Sequence, residues 1–211
     1  MPNHVTTILR IEGNDELIGA VKSQLRGEKS LFDFNKVVPM PETYQKYDTT
    51  NHPNGDRLEV GKPFGWVDGA PIVTEEMVEE YKKATREQEM LYGVVGWYQW
   101  ALRFWGTKWN CYEVEDLGDA IKFQTAWSFP RPVIVALSKK FPAVVFSYEY
   151  ADEDAGYNTG EGSIQNGEFL EEFCPEGDSE AAWNLYFLTH EGMEEYYVRQ
   201  EDGSYRYRED D

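Results

Sequence analysis

The chain has 211 residues, of which 41% are hydrophobic and 15% aromatic, and its 20 Lys and Arg stand against 39 Asp and Glu for a net charge of -19. That length suits one domain with insertions or one domain plus a small appendage, and such a domain buries a core without needing disulfides or metals. The charge is uneven: residues 147–211 hold 19 acidic and only 3 basic side chains, so this end is excluded as a direct binder of nucleic-acid phosphates, which require clustered Lys and Arg.

Val5 to Ile11 is rich in β-branched residues and reads as a first strand. Asn14 then caps a helix with Asp15 and Glu16 in its first turn, a Leu17, Val21, Leu25 stripe, and Gly27 as the stop. Leu31 to Val38 reads as a second strand, ended by Pro39 and Pro41. Residues 42–73 keep no period, with Pro53, Pro63, Pro71, Gly55, Gly61, Gly65 and Gly69 marking a long insertion. Thr74 offers the cap of a helix to about Leu91, with Met77, Tyr81, Ala84 and Leu91 inward. Beyond Gly93 and Gly96, the residues Trp97, Trp100, Ala101 and Phe104 form a second helical face.

The period then becomes two. Residues 111–115 and 120–127 read as paired strands around Leu117-Gly118-Asp119. Pro132 suits the first turn of a helix that ends at Lys139-Lys140, before Phe141-Pro142. Ala143 to Tyr150 is a strand by composition, and Tyr157 to Gln165 adds an edge strand. Ser179 starts a helix through Leu188, and residues 195–208 form a hairpin about Asp202-Gly203. The fold class expected is α+β: a ferredoxin-like, split βαβ antiparallel sheet with helices on one face. To it are added a helical insertion after the second strand, at 42–105, and an acidic C-terminal helix plus hairpin. The domains expected are 1–170 and an acidic extension, 171–211.

Cys111 and Cys174 form no CxxC and have no histidine at ligand spacing, which argues for free thiols in a reducing cytosol rather than zinc or a disulfide. Met1 to Gly13 lacks the pattern of a secretory leader, and no apolar run approaches the roughly 20 residues that span a bilayer. A cytoplasmic protein without membrane contact is expected. His4, His52 and His190 form no HxH or HExxH, and no GxSxG, GxGxxG or P-loop is present. No catalytic residue, metal ligand or cofactor is therefore assigned.

Two groups of residues stand out. Trp105, Lys108, Trp109, Asn110, Trp127 and Arg131 interleave indoles with cations, as a small-ligand site for a base or phosphate would. The bland alternative is that the indoles are core. Asp152, Glu153 and Asp154, with Glu171 and Glu172, offer carboxylates to a basic partner. Asp152 to Asn158 also places oxygen ligands before a glycine, but it fails the EF-hand pattern and reads as a solvated turn.

Several stretches carry a family resemblance: Asn3-His4-Val5, residues 32–41 (Phe-Asp-Phe-Asn-Lys-Val-Val-Pro-Met-Pro), Trp105-Gly106-Thr107-Lys108-Trp109-Asn110, and Thr125-Ala126-Trp127 with Pro130-Arg131-Pro132. Together they resemble the YubB-like proteins of bacterial phages and plasmids, over roughly residues 3–41 and 97–165. The resemblance implies a ferredoxin-like domain, carries no catalytic residue, and suggests accessory cargo of a mobile element. The leading expectation is thus a non-enzymatic binding protein in the bacterial host cell, occupying a host protein with a basic surface in a host-interaction or counter-defence role. In its sharp form the carboxylates stand in for DNA phosphates. Sequestration of a nucleotide-type ligand at 105–110 and an unrecognised carboxylate-based hydrolase are the alternatives. Oligomeric state is left open.

Overall fold

β-branched Val5, Thr6, Thr7 and Ile8 favour extended backbone, and they open the central strand of a six-stranded antiparallel sheet. The computed structural model describes residues 3–46, 58–64, 71–201 and 203–208. In chain order the named elements are β1 (His4–Glu12), α1 (Asp15–Leu25), α2 (Glu42–Lys46), α3 (Glu75–Tyr92), α4 (Trp97–Phe104), β2 (Tyr112–Asp116), β3 (Ala120–Ala126), α5 (Arg131–Lys140), β4 (Val145–Asp152), β5 (Gly160–Gln165), β6 (Glu168–Phe173), α6 (Glu180–Thr189), β7 (Tyr197–Arg199) and β8 (Tyr205–Tyr207). Two compact units result, one of Met1–Val38 with Trp105–Asp211, the other of Pro39–Phe104. Among the described residues, no helix is long and apolar enough to cross a membrane.

In the first unit the sheet order is β2-β3-β1-β4-β5-β6, with every neighbouring pair antiparallel. β1–α1–β2 and β3–α5–β4 are two interleaved split βαβ units, which is the ferredoxin-like arrangement. One face of the sheet, with Leu9, Ile121, Phe123, Phe146 and Tyr148, meets the buried Val21 and Leu25 of α1 and Val133 and Leu137 of α5. Asn14 caps α1 by accepting from the Leu17 N–H at 2.9 Å, and the helix ends one residue before Gly27, at an extended Arg26. Lys22 crosses to Asp116 and donates to the Gly118 carbonyl at 2.6 Å, tying α1 to the β2–β3 turn.

The ferredoxin-like fold stands, but Leu31 to Val38 is not its second strand. Phe32 and Phe34 do alternate inward, meeting Phe123 edge-on at 5.2 and 6.2 Å. Between them, however, Asp33 accepts from the Asn35 N–H at 2.9 Å and opens a single 3-10 turn, Phe34–Lys36. The true second strand is β2, so the helical insertion enters after α1 and precedes that strand. β5 is not an edge either, because β6 pairs beyond it.

The second unit is held by a buried polar pair beneath aromatics. Gln88 donates to the Thr43 carbonyl at 2.9 Å and accepts from the Gly96 N–H at 3.0 Å. Tyr44 donates to the Val94 carbonyl at 2.8 Å, and its rings of contact are Tyr92 and Trp100. Burial pushes the Tyr44 phenol up to about 12. Thr74 caps α3, and Gly93, at φ 68, closes it. Tyr81 and Ala84 face inward as expected, whereas Leu91 is 61% exposed. His52, Pro53, Gly55, Gly65 and Gly69 lie outside the described residues.

The end of the chain returns to the first unit and covers part of the sheet's other face. α6 itself is apolar, with Glu180 its one carboxylate, so the acidity expected of this helix sits in its flanks. Trp183 and Tyr186 pack on Ala151, and Tyr197 and Tyr205 of the β7–β8 hairpin pack behind them. Asp202 of the expected turn lies outside the described residues. His190, at the helix end, stacks on Tyr186 at 4.5 Å and meets the Thr6 hydroxyl through Nε2 at 3.2 Å. Burial holds this imidazole below its ordinary pKa, and Lys122 acts in the same direction. The unfolded chain therefore takes up this proton first, so stability is fully present above about pH 6.5 and drains as the pH falls below it. Denaturant melts between pH 7 and 5 should show this loss, and His190→Gln should flatten it; an unchanged slope in the variant would place the loss elsewhere.

Candidate functional site

The turn between α4 and β2 divides into a frame and an exposed remainder. Trp105 is only 4% exposed; its Nε1 donates to the Val38 carbonyl at 2.8 Å and its ring meets Phe34 edge-on. It is core, not a ligand platform, because an indole this deep offers neither face. Thr107 is fully buried, donating to the Ala126 carbonyl at 2.7 Å and accepting from the Ala126 N–H at 3.1 Å. Ser128 donates to the Gly106 carbonyl at 2.6 Å. Asn110 is likewise structural: Oδ1 accepts from the N–H groups of Phe34 and Cys111, both at 2.9 Å, and Nδ2 donates to Asp33 at 2.6 Å.

Asn110→Ala should therefore leave two partly buried backbone donors without acceptors, lowering stability by about 2–3 kcal/mol. The denaturation midpoint reads this directly, and an unmoved midpoint would mean that water replaces the amide.

Of the residues expected to bind a ligand, Lys108, Trp109 and Trp127 do come together. The Lys108 Nζ lies 4.5 Å from the Trp109 ring and 5.0 Å from that of Trp127. Trp127 is 39% exposed and has φ 74, a left-handed backbone rarely tolerated by a bulky side chain. Its N–H donates to Asn3 at 2.9 Å, and its carbonyl accepts from Asn158 at 3.1 Å, which pin that conformation. Arg131 is engaged elsewhere: its guanidinium lies 4.2 Å over Phe169 and pairs with Glu172.

The acidic residues also separate. Asp152 is 4% exposed and accepts from Asn3, from the Asp154 N–H and from Asn158 at 2.9–3.1 Å, so it organises the turn instead of facing a partner. Glu153 is exposed and accepts from the His4 N–H at 3.1 Å, and Asp154 is exposed. Glu171 and Glu172 lie on opposite faces of β6, Glu172 toward Arg131 and Glu171 toward the face that α1 and α5 leave open.

On that open face the strand register sets Glu149 against Glu161 and Glu161 against Phe173, while Ser163 stands against Glu171. Glu149, Glu161, Glu171 and Phe173 border a groove of about 470 Å³. Burial raises the Glu149 carboxyl above its usual range; Arg10, 3.8 Å away, opposes this and Glu161 reinforces it. Glu149 Oε2 is buried with no hydrogen-bond partner among the described residues. Residues 141–198 hold 14 Asp and Glu and neither Lys nor Arg, and the cations paired with groove carboxylates come from other elements, Arg10 to Glu149 and Arg131 to Glu172. Glu149, Glu161 and Phe173 were not singled out from sequence. The available signal was Asn166-Gly167, whose φ values of 48 and 83 make the tight turn that brings β6 onto β5.

Cys111 is buried and Cys174 exposed, both free. Gly160 and Gly162 lie in β5 beneath Tyr150 and Tyr148, and a Cβ at either would meet the phenol oxygen at 2.7 Å. Those two rings stack with Phe129 at 4.8 and 4.5 Å.

Residues 104–199 match the family model of the ferredoxin-like domain in Api92-like protein. The matched segment runs from the end of α4 to the end of β7 and takes in the groove and α6. Among solved structures the chain is similar to protein Api92 from Yersinia pseudotuberculosis, at 8% identity, over 84% of this chain and 99% of that one, with a TM-score of 0.43. No curated protein matches it.

Proposed function

We propose that this chain is a non-enzymatic accessory protein of a phage or plasmid that works in the bacterial cytoplasm by occupying a host protein with a basic surface. The contact lies at the open-face groove of β4, β5 and β6. The observation that carries this reading is Glu149: a carboxylate held in a native state that disfavours its charge, with one oxygen unbonded among the described residues, beside Glu161 and Glu171. Elements that lower stability cluster where a protein does its work, and a cation entering the groove would relieve this one. The motif words shared with YubB-like proteins support the mobile-element setting, and the acid-only stretch from Phe141 to Val198 supports the sign of the partner.

The test is capture of basic host proteins at low and high salt, with wild type and with Glu149→Gln, Glu161→Gln and Glu171→Gln combined. Wild type should capture at low salt and lose most of its partner at high salt, while the triple variant captures nothing. Because the raised pKa means that ionised Glu149 opposes folding at neutral pH, Glu149→Gln alone should hold or raise the Tm at pH 7. Capture by the triple variant equal to wild type would overturn the reading.

A second reading is favoured by Trp127, strained and exposed beside Lys108: a nucleotide-type ligand stacked on that indole. Trp127→Ala should then abolish nucleotide binding with the fold intact.

A further inference from the structure

We propose that the partner presents an extended, lysine- or arginine-bearing segment that adds to β6 as a seventh strand of the sheet. This rests on the acidic-groove reading and specifies how the groove is used. β6 is the last strand of the sheet: one side pairs with β5 from Glu161–Phe173 to Gln165–Glu168, and no strand among the described residues pairs with the other. Such an edge offers main-chain donors and acceptors to any extended backbone of suitable chemistry.

The side chains along the edge state that chemistry. Leu170 is 58% exposed and Phe173 is 50% exposed, giving the strand apolar contacts in water. Glu168, Glu171 and Glu172 lie among them, and Glu171 opens onto the groove shared with Glu149 and Glu161. A register shift in the β5–β6 pairing leaves Leu170 as the extra residue, so the regular stretch nearest the groove is Glu171 to Phe173. A strand laid there, alternating cationic and apolar residues, sets its cations on the open face with Glu171 and Glu161 and its apolar groups on the opposite face, the one that carries Phe169.

Charge argues against a second copy of this chain. β6 against β6 places carboxylates opposite carboxylates, and β2, the sheet's other edge, carries Glu113, Glu115 and Asp116 and its own register shift. The occupant is thus a basic segment of a different protein.

The test uses the full chain and two fluorescein-labelled peptides. One is an eight-residue Lys-Val repeat; the other is the same peptide N-methylated at its four central residues, which keeps the charge and removes strand-forming donors. The parent peptide should bind at low salt, the methylated one at least ten-fold more weakly, and binding should slow amide exchange within Glu168–Phe173. Glu161→Gln with Glu171→Gln should weaken the parent peptide at least ten-fold. Equal affinity for the two peptides, protection that falls elsewhere, or failure of the parent peptide to bind would each overturn strand addition. Those outcomes leave the acidic-surface reading standing, because that reading falls only if the triple variant captures basic protein as wild type does.

Discussion

Trp183→Ala is expected to lower stability by about 3–5 kcal/mol, the range for deleting a large buried aromatic. The indole is 4% exposed and donates through Nε1 to Asp178 at 2.7 Å. Around it stand Tyr197 at 4.9 Å, Tyr205 at 5.1 Å, Phe187 at 5.6 Å and Tyr186 at 5.9 Å. Gly156 lies beneath, where a Cβ would come within 2.9 Å of the ring. One side chain thus joins α6, the hairpin and the turn after β4. Chemical denaturation gives the loss, and Trp183→Phe should recover part of it. A cost under about 1 kcal/mol would mean that the tyrosines repack around the gap.

Gly106→Val should be comparably damaging, at about 3–5 kcal/mol, for a different reason. The backbone there has φ 76, and a Cβ would sit 2.6 Å from Cδ of Pro132. Left-handed strain in a β-branched residue and overpacking each contribute about 1–3 kcal/mol. Neither neighbour can yield cheaply: Pro132 is fixed in the first turn of α5, and the Gly106 carbonyl is held by Ser128. Gly106→Ala should show a smaller loss of the same kind. If the valine variant melts with wild type, the turn is not the rigid corner described.

The same corner shows why one motif was legible as important and illegible in role. Tryptophan, glycine, threonine and asparagine at 105, 106, 107 and 110 are all committed to holding β2, β3 and the Phe32–Phe34 loop together. A side-chain amide that satisfies two backbone donors looks, in sequence, like one that awaits a ligand. α1 and α5 were readable from helical spacing and end signals, β3 from its period of two, and β1 and β4 from strand-forming composition. Leu31 to Val38 misled by offering two inward phenylalanines at strand spacing, while Asp33 bends the backbone between them. β6 escaped notice because Glu-Phe-Leu-Glu-Glu-Phe is half carboxylate and its alternation breaks at Leu170, where the pairing with β5 shifts register. The groove carboxylates followed it, since Glu149 acquires meaning only when Glu161 and Glu171 are brought alongside by that pairing.

Val38 and Trp105 are where the chain leaves and rejoins the ferredoxin-like body, and the Trp105 indole holds the Val38 carbonyl at 2.8 Å. The doorway is therefore clasped shut from within the body, whatever the guest between its posts. Lengthening such a guest adds only a slowly growing closure entropy and leaves strand alignment untouched. A change of length between Pro39 and Phe104 is thereby uncoupled from the register of the sheet, because the two ends of that segment are joined by a bond that belongs to the body alone.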